Sequence, residues 1–170
     1  MSKESPLHKE IREGLGNYLK KGFVNREVLL AHKPGGRTRL PILKKSKFER
    51  HEILYEPDII IKEKDCGNIT HIIEIEDKGD LTTLIKLKTI LAGFCIKVMV
   101  EEGTQGKKSR PQIIFVPIKN KISKKKLSAS LNRTRFISQY LSYVEPEITR
   151  KCNTKDDAVK EIEELLKGGK

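Results

Sequence analysis

Two apolar, β-branched runs separated by a short polar turn constrain the fold of this chain more than any other feature. Residues 57–62 (PDIIIK) and 70–77 (THIIEIED) each have the length and composition of a β-strand. Asp65-Cys66-Gly67-Asn68, between the two runs, is typical of a turn. We therefore expect an antiparallel hairpin in the middle of the chain.

Helical and extended patterns surround this hairpin. Residues 5–21 carry apolar side chains at helical spacing, and Ser5 followed by Pro6 suits the start of a helix. The helix after Asp80 is expected to end at Gly93 and to cross over onto the next strand of the sheet. Strands are further predicted at 23–31, 39–43, 94–100 and 112–118, and helices at 128–143 and 154–167.

This order of elements predicts an α/β fold with a central mixed β-sheet flanked by helices. A length of 170 residues fits one domain. We expect a core over residues 1–118, followed by a basic linker and a C-terminal helical extension, 119–170, packed on the same domain. Three widely spaced cysteines form no Cys-x-x-Cys pair, so a zinc ribbon is excluded on spacing and free thiols are expected.

The chain lacks the sequence marks of a membrane or exported protein. It contains no run of 18 apolar residues, and its polar, charged N-terminus does not resemble a signal peptide. These features predict a cytoplasmic protein without a membrane partner.

Charge is distributed unevenly along the chain. The formal net charge is +12 at pH 7, yet residues 57–80 hold seven acidic groups and only three basic ones. A strongly basic surface attracts the phosphate backbone of nucleic acids, whereas an acidic cluster within it repels that backbone. A divalent metal ion held between the carboxylates and a phosphate resolves this conflict.

The acidic residues of the second predicted strand share one face. Because side chains alternate along a strand, Glu74, Glu76 and Lys78 project to one side and Ile73 and Ile75 to the other. Asp58, at the start of the partner strand, is expected to lie across from them. Converging carboxylates and a lysine suit metal-assisted hydrolysis of a phosphodiester, with Mg²⁺ or Mn²⁺ on hard oxygen ligands.

Pro57-Asp58, fifteen intervening residues and then Glu74-Ile75-Glu76 resemble the motif of the PD-(D/E)xK nuclease superfamily. The resemblance extends over residues 5–118 and implies a restriction-endonuclease-like core and an Mg²⁺-dependent deoxyribonuclease. It further implies that Asp58, Glu74 and Glu76 bind the metal and that Lys78 completes the catalytic set.

The lysine position departs from the family pattern and leaves two registers open. In the preferred register, Glu74-Ile75-Glu76 is the motif and a glutamate replaces the usual lysine, so that Lys78 supplies the cation, ahead of Lys86 or Lys88 on the next helix. In the other, Glu76-Asp77-Lys78 is itself the motif. Family nucleases often add an acid from the first helix, for which Glu10 and Glu13 are candidates, although solvent-facing roles are favoured for both.

Basic residues outside the acidic segment are candidates for gripping DNA, duplex or branched. They lie before the hairpin and in the polar loop that precedes the predicted strand 112–118, and phosphate contacts of this kind position a protein without reading sequence. A homodimer would supply one site for each strand of a duplex. The candidate phosphate-binding residues are Arg37, Arg39, Lys44, Lys45, Lys47, Lys107, Lys108 and Arg110.

A non-catalytic nucleic-acid-binding protein with a degenerate nuclease fold is the alternative to a metal-dependent endonuclease. This alternative would be favoured if no other residue replaced the catalytic lysine that the family motif normally carries. An aromatic content of 5% without tryptophan predicts that binding would be mostly electrostatic rather than by base stacking. The four histidines show no metal-ligand spacing among themselves, and His71, on the face of Ile73 and Ile75, is expected to be structural.

Overall fold

A computed structural model of the chain describes residues 4–32, 38, 40, 55–77, 80–133 and 138–168. These residues form five helices and five strands in mixed order. The helices are α1 (Pro6–Gly22), α2 (Leu81–Glu101), α3 (Lys124–Asn132), α4 (Ser138–Leu141) and α5 (Lys155–Gly168). The strands are β1 (Arg26–Leu30), β2 (Ile59–Glu63), β3 (Ile69–Glu76), β4 (Gln112–Pro117) and β5 (Glu145–Ile148).

The strands form one sheet in the order β1-β2-β3-β4-β5. The first three strands are antiparallel, and β4 and β5 continue the sheet in parallel with β3. Ile59 pairs with Ile73, so the hairpin predicted from the sequence is confirmed. The predicted α/β class, with a mixed sheet flanked by helices and with helices at the C-terminus, is confirmed as well.

Each face of the sheet is covered by its own helices. Ile72 belongs to a core that includes buried residues of α2, whereas Ile73 and Ile75 belong to a second core with buried residues of α1 and α5. The face that carries Glu74 is therefore covered rather than half-exposed. Burial on both sides explains the consecutive isoleucines of β2, Ile59–Ile61, and of β3, Ile72 and Ile73.

Helix α1 forms as its sequence predicts. The Ser5 hydroxyl accepts a hydrogen bond from the backbone N–H of His8 at 3.3 Å, and Pro6 occupies the first turn, where no donor is needed. Ile11, Leu15 and Leu19 are fully buried at helical spacing. Helix α1 thereby packs on β1 and β3, which matters for the site described below.

The strand predicted at 94–100 is wrong, because α2 continues through it to Glu101. Cys95, Ile96 and Met99 are buried on one side of the helix, at helical spacing. A seven-residue segment with six apolar residues fits a buried strand and a buried helix equally well, so the sequence does not distinguish the two. Gly93 does not end the helix, and the crossover from β3 leads to β4 instead.

The region after β4 differs from its prediction in two ways. Helix α3 begins within the lysine-rich segment expected to be a linker, and a short strand, β5, follows α4 where the sequence indicated only helix and loop. Strand β5 extends the sheet beside β4, and α5 contacts α1. Of the strand predicted at 39–43, the structure describes only Leu40, which pairs with Tyr55.

Among the helices of the described residues, none combines the length and the apolar character that crossing a membrane requires.

Candidate active site

Asp58 lies immediately before β2 and is held by two other elements. Its Oδ2 accepts a hydrogen bond of 2.8 Å from the backbone N–H of Ile75 on β3. Its Oδ1 lies 2.9 Å from Nε2 of His8 on α1. Burial opposes ionisation, but the hydrogen bond and charge of His8, with the Ile75 N–H, hold the pKa of Asp58 below its usual value. Asp58 is therefore a buried, ionised carboxylate.

Glu74 and Glu76 project from the same face of β3 and are only 2% and 5% exposed. Lys88, on the second turn of α2, donates a hydrogen bond of 2.6 Å to Oε2 of Glu74 and forms an ion pair of 2.5 Å with Oε1 of Glu76. The Tyr55 hydroxyl donates to Oε1 of Glu74. One lysine thus contacts both carboxylates, and a tyrosine fixes one of them.

Burial disfavours ionisation of both glutamates. Burial raises the pKa of Glu74 to about 8; Lys88 opposes that rise, and the carboxylates of Asp58 and Glu76 add to it. Burial likewise raises the pKa of Glu76 against the opposing effect of Lys88. Burial by itself would lower the pKa of Lys88. The nearby Glu74 and Glu76 carboxylates raise this pKa above its ordinary value, so Lys88 stays charged at neutral pH.

A second group of ligand atoms adjoins the first at the beginning of α1. One carboxylate oxygen of Glu4, one ring nitrogen of His8 and one oxygen of Asp58 all lie within 4.8 Å of one another. Arg12 forms an ion pair of 3.2 Å with the other oxygen of Glu4. Burial lowers the pKa of His8, but the hydrogen bond and charge of Asp58, followed by Glu4 and Asp77, raise it overall.

The residues present fit a divalent cation. The Glu4 and Asp58 carboxylates each bring an oxygen within 4.8 Å of the other and of a His8 ring nitrogen, and carboxylate oxygens are the donors that Mg²⁺ and Mn²⁺ prefer. The buried Oε1 of Glu4 accepts no hydrogen bond from the described residues, which leaves a free lone pair beside His8 and Asp58. The raised pKa of Glu74 indicates that one more positive charge would stabilise the ionised cluster.

The structure brings together three of the four predicted catalytic residues, Asp58, Glu74 and Glu76. Lys78 lies outside the described residues. Among the described residues, the lysine that contacts Glu74 and Glu76 is Lys88, which the sequence ranked behind Lys78. Glu4, which precedes α1, lies in one group of ligand atoms with His8 and Asp58, whereas Glu10 is exposed.

The candidate phosphate-binding residues divide into two groups. Arg37, Arg39, Lys44, Lys45 and Lys47 lie outside the described residues. Lys107, Lys108 and Arg110 are exposed and precede β4. Because Gln112 pairs with His71 and Pro117 with Glu76, these three residues lie toward the end of the sheet away from the carboxylates. The structure does not bring them to the acidic cluster.

Sequence reasoning missed three residues of the cluster: Glu4, His8 and Tyr55. Glu4 and His8 are four residues apart at the start of a helix, a spacing that puts both side chains on one side. Spacing between histidines alone does not reveal such a glutamate–histidine pair. Tyr55 carries no local signal. Its hydroxyl reaches Glu74 only because residue 55 leads into β2 and residue 74 lies on the neighbouring strand.

Comparisons with models of known protein families, with curated proteins and with solved structures give no match for this chain. The assignment of the site therefore depends on its own geometry and chemistry.

Proposed function

We propose that this protein is a metal-dependent endonuclease that hydrolyses phosphodiester bonds in DNA, in the cytoplasm. The observation that carries the proposal is the convergence of Asp58, Glu74 and Glu76 with the Lys88 ammonium in one buried cluster. Isolated buried carboxylates are costly; two of them share one lysine and Asp58 lies close enough to raise the pKa of both, which suggests a site built to receive further positive charge. The motif resemblance supports the same reading.

In this proposal, Asp58 and Glu74 hold Mg²⁺ or Mn²⁺ through carboxylate oxygens, and Glu76 assists. A cation held there would supply Lewis acidity, which would lower the pKa of a water molecule and offset negative charge on the phosphoryl group. The Ile75 N–H and His8 keep the Asp58 carboxylate in one orientation, and the Tyr55 hydroxyl does the same for Glu74. Because these contacts already orient the two carboxylates, the side chains need little rearrangement during the reaction.

Lys88 takes the role that the sequence assigned to Lys78. Its Nζ lies at the Glu74 and Glu76 carboxylates and stays protonated at neutral pH, since both acids raise its pKa. From this position it donates a hydrogen bond to the attacking water or to a phosphate oxygen, which stabilises developing negative charge. A lysine on α2 would explain why a glutamate occupies the usual lysine position on β3.

Nucleic acid is the substrate class that the overall charge supports. A formal charge of +12 favours a polyanionic partner, and the acidic cluster is where that partner would be cut. Duplex and branched DNA both fit this reasoning.

A non-catalytic DNA-binding protein is the second candidate, and one observation favours it. Both oxygens of Asp58 and both oxygens of Glu74 already have protein partners. If these contacts persist with DNA bound, the cluster is a structural ion-pair network rather than a metal site.

Cleavage of supercoiled plasmid and of a branched oligonucleotide, with Mg²⁺, Mn²⁺ or EDTA, tests the proposal. We expect metal-dependent cutting by the wild type and at least about a hundredfold loss in Asp58→Ala, Glu74→Ala and Lys88→Met. DNA binding in EDTA should persist in all three variants and be as tight or tighter in Asp58→Ala. Lys86→Met, two residues from Lys88 on the same helix, is the matched control and should cut normally.

Two results would reject the nuclease proposal. The first is equal cutting by Asp58→Ala and the wild type. The second is no cutting under any metal by a folded wild type that still binds DNA at low salt, which would establish the binding protein instead. Circular dichroism of each variant separates loss of function from loss of fold.

A further inference from the structure

A cavity of about 320 Å³ lies at the other end of the sheet from the carboxylate cluster. It is partly open to solvent, and its walls include His71 at the beginning of β3, Gln112 on β4 and Glu145 on β5. His71 and Glu76 are five residues apart on β3, or roughly 16 Å along the strand. The cavity and the cluster are therefore separate sites.

Two arginines line this cavity with their charges available. The Arg26 guanidinium stacks 4.7 Å above the ring centroid of Phe23, and it forms no ion pair with a carboxylate of the described residues. Arg110 donates from Nε to the Val144 carbonyl at 3.2 Å, which fixes the guanidinium without neutralising it. Fixed guanidinium groups suit phosphate because they present several donors in one plane.

His71 contributes an acceptor to the same cavity, as its hydrogen bonds show. The Thr70 hydroxyl donates its only proton to the Ile61 carbonyl at 3.2 Å. At 2.9 Å from His71 Nδ1, that hydroxyl must therefore accept, so Nδ1 carries the hydrogen and Nε2 keeps its lone pair. Burial, with the charge of Arg26, lowers the pKa of His71 to about 4, so the ring is neutral at physiological pH.

The remaining walls suit the organic part of a ligand. Leu165 and Leu166 of α5 supply apolar surface, and the Glu145 carboxylate is a further acceptor. A ligand that satisfies these groups carries a phosphate for the two arginines and hydroxyl or amino groups for His71 and Glu145. The volume is at the lower end of the range for small-molecule sites, which suits a single nucleotide unit rather than a longer chain.

We propose that this cavity binds a nucleoside 5′-monophosphate unit, with its phosphate between Arg26 and Arg110 and its sugar and base against α5. The unit is either a free mononucleotide or the phosphorylated end of a DNA strand, since both present the same chemistry. The proposal goes beyond cleavage at the carboxylate cluster and does not depend on it.

Isothermal titration in EDTA tests binding without any contribution from metal-dependent cleavage. The probes are deoxyadenosine 5′-monophosphate, deoxyadenosine, and one hexanucleotide with and without a 5′-phosphate. We expect the phosphorylated probes to bind and their unphosphorylated counterparts to bind at least about tenfold more weakly, as expected when charge-assisted hydrogen bonds are lost. Binding of deoxyadenosine 5′-monophosphate would identify a free nucleotide as the ligand, and binding of the phosphorylated hexanucleotide alone would identify the strand end.

Arg26→Gln should weaken binding of the phosphorylated probe at least about tenfold, because it removes one of the two charges on the phosphate. Lys125→Gln, at an exposed lysine of α3 that does not line the cavity, is the charge-matched control and should bind normally. The His71 ring signals in NMR should shift on titration and report a folded protein in each variant. Absence of binding by either phosphorylated probe at about 10 mM would overturn the proposal, as would equal effects of Arg26→Gln and Lys125→Gln.

Discussion

At the scale of single residues, buried polar groups in this protein are held by several partners at once. Lys88 contacts two glutamates, and Asp58 receives donors from two different elements. Removing one partner of such a network costs more than a surface ion pair, since the group left behind is buried. This explains how β3 accommodates Glu74 and Glu76 on one face without solvent.

His71 should make the stability of the fold depend on pH in a defined window. The unfolded residue takes up a proton as the pH falls through 6.5, whereas the folded one does so only near 4. A depressed histidine pKa therefore lowers the free energy of unfolding as the pH falls through that interval. Between pH 7 and pH 4.5 we expect His71 to account for a loss on the order of 2 kcal/mol.

Urea unfolding at pH 7 and pH 4.5 measures this contribution. His71→Gln should lose less stability than the wild type over that interval. The control is His32→Asn at an exposed histidine, where a φ of +58° suits asparagine and where the wild-type pH dependence should be kept. An unchanged pH dependence in His71→Gln would show that the residue titrates alike in both states.

At the scale of elements, α2 serves the sheet and the site together. Its buried side chains, among them Ile85, Ala92 and Ile96, pack in the core, while Lys88 points to the carboxylates of β3. Gly93 lets a second element approach the helix closely. A Cβ built there would lie 2.1 Å from the backbone oxygen of Tyr140, so the absent side chain is where α4 packs on α2.

Gly93→Ala should destabilise the protein although alanine favours helices. The backbone of Tyr140 cannot move aside as a flexible side chain can, and overpacking of this kind costs about 1–3 kcal/mol. Gly22→Ala at the end of α1 is the matched control, because a Cβ there would meet no atom within 4 Å. We expect that variant to be unchanged or up to about 1 kcal/mol more stable. Equal thermal or urea stability of the two variants would contradict this account of the α2–α4 contact.

At the scale of the whole molecule, a formal charge of +12 surrounds a cluster that is locally acidic. If DNA is the partner, binding releases counterions and weakens steeply as salt rises. The exposed Lys107 and Lys108 lie near the end of the sheet that holds the cavity. Phosphate contacts with these lysines would extend the DNA-binding surface away from the carboxylate cluster.

Substituting both lysines tests that extension. In Lys107→Gln/Lys108→Gln, the slope of log affinity for duplex DNA against log salt should decrease in magnitude by about 2, since each phosphate contact contributes about 0.9. Lys20→Gln/Lys21→Gln, a pair of exposed lysines at the end of α1, is the charge-matched control. Equal slopes in both double variants would mean that Lys107 and Lys108 act only through net charge.

The sequence was sufficient where local chemistry decides the outcome. The hairpin, α1 and α5 were predicted within a few residues, because alternation, turn residues and helix caps are local signals. Strand periodicity places Glu74 and Glu76 on one face of β3, and the antiparallel pairing of β2 with β3 places Asp58, just before β2, beside them. The same local reasoning misplaced residues 94–100, where an apolar run carries no distinguishing period.

Only the tertiary structure decided which other residues join the cluster. Lys88, Tyr55 and His8 come from a helix after the motif, a segment before it and the N-terminal helix, and no fixed spacing in the chain encodes their meeting. Strand β5 likewise depends on pairing with β4, because its four residues have little strand preference by themselves. Sequence determines which groups alternate and where elements begin; packing of distant elements determines which charges are buried together, and hence their pKa values.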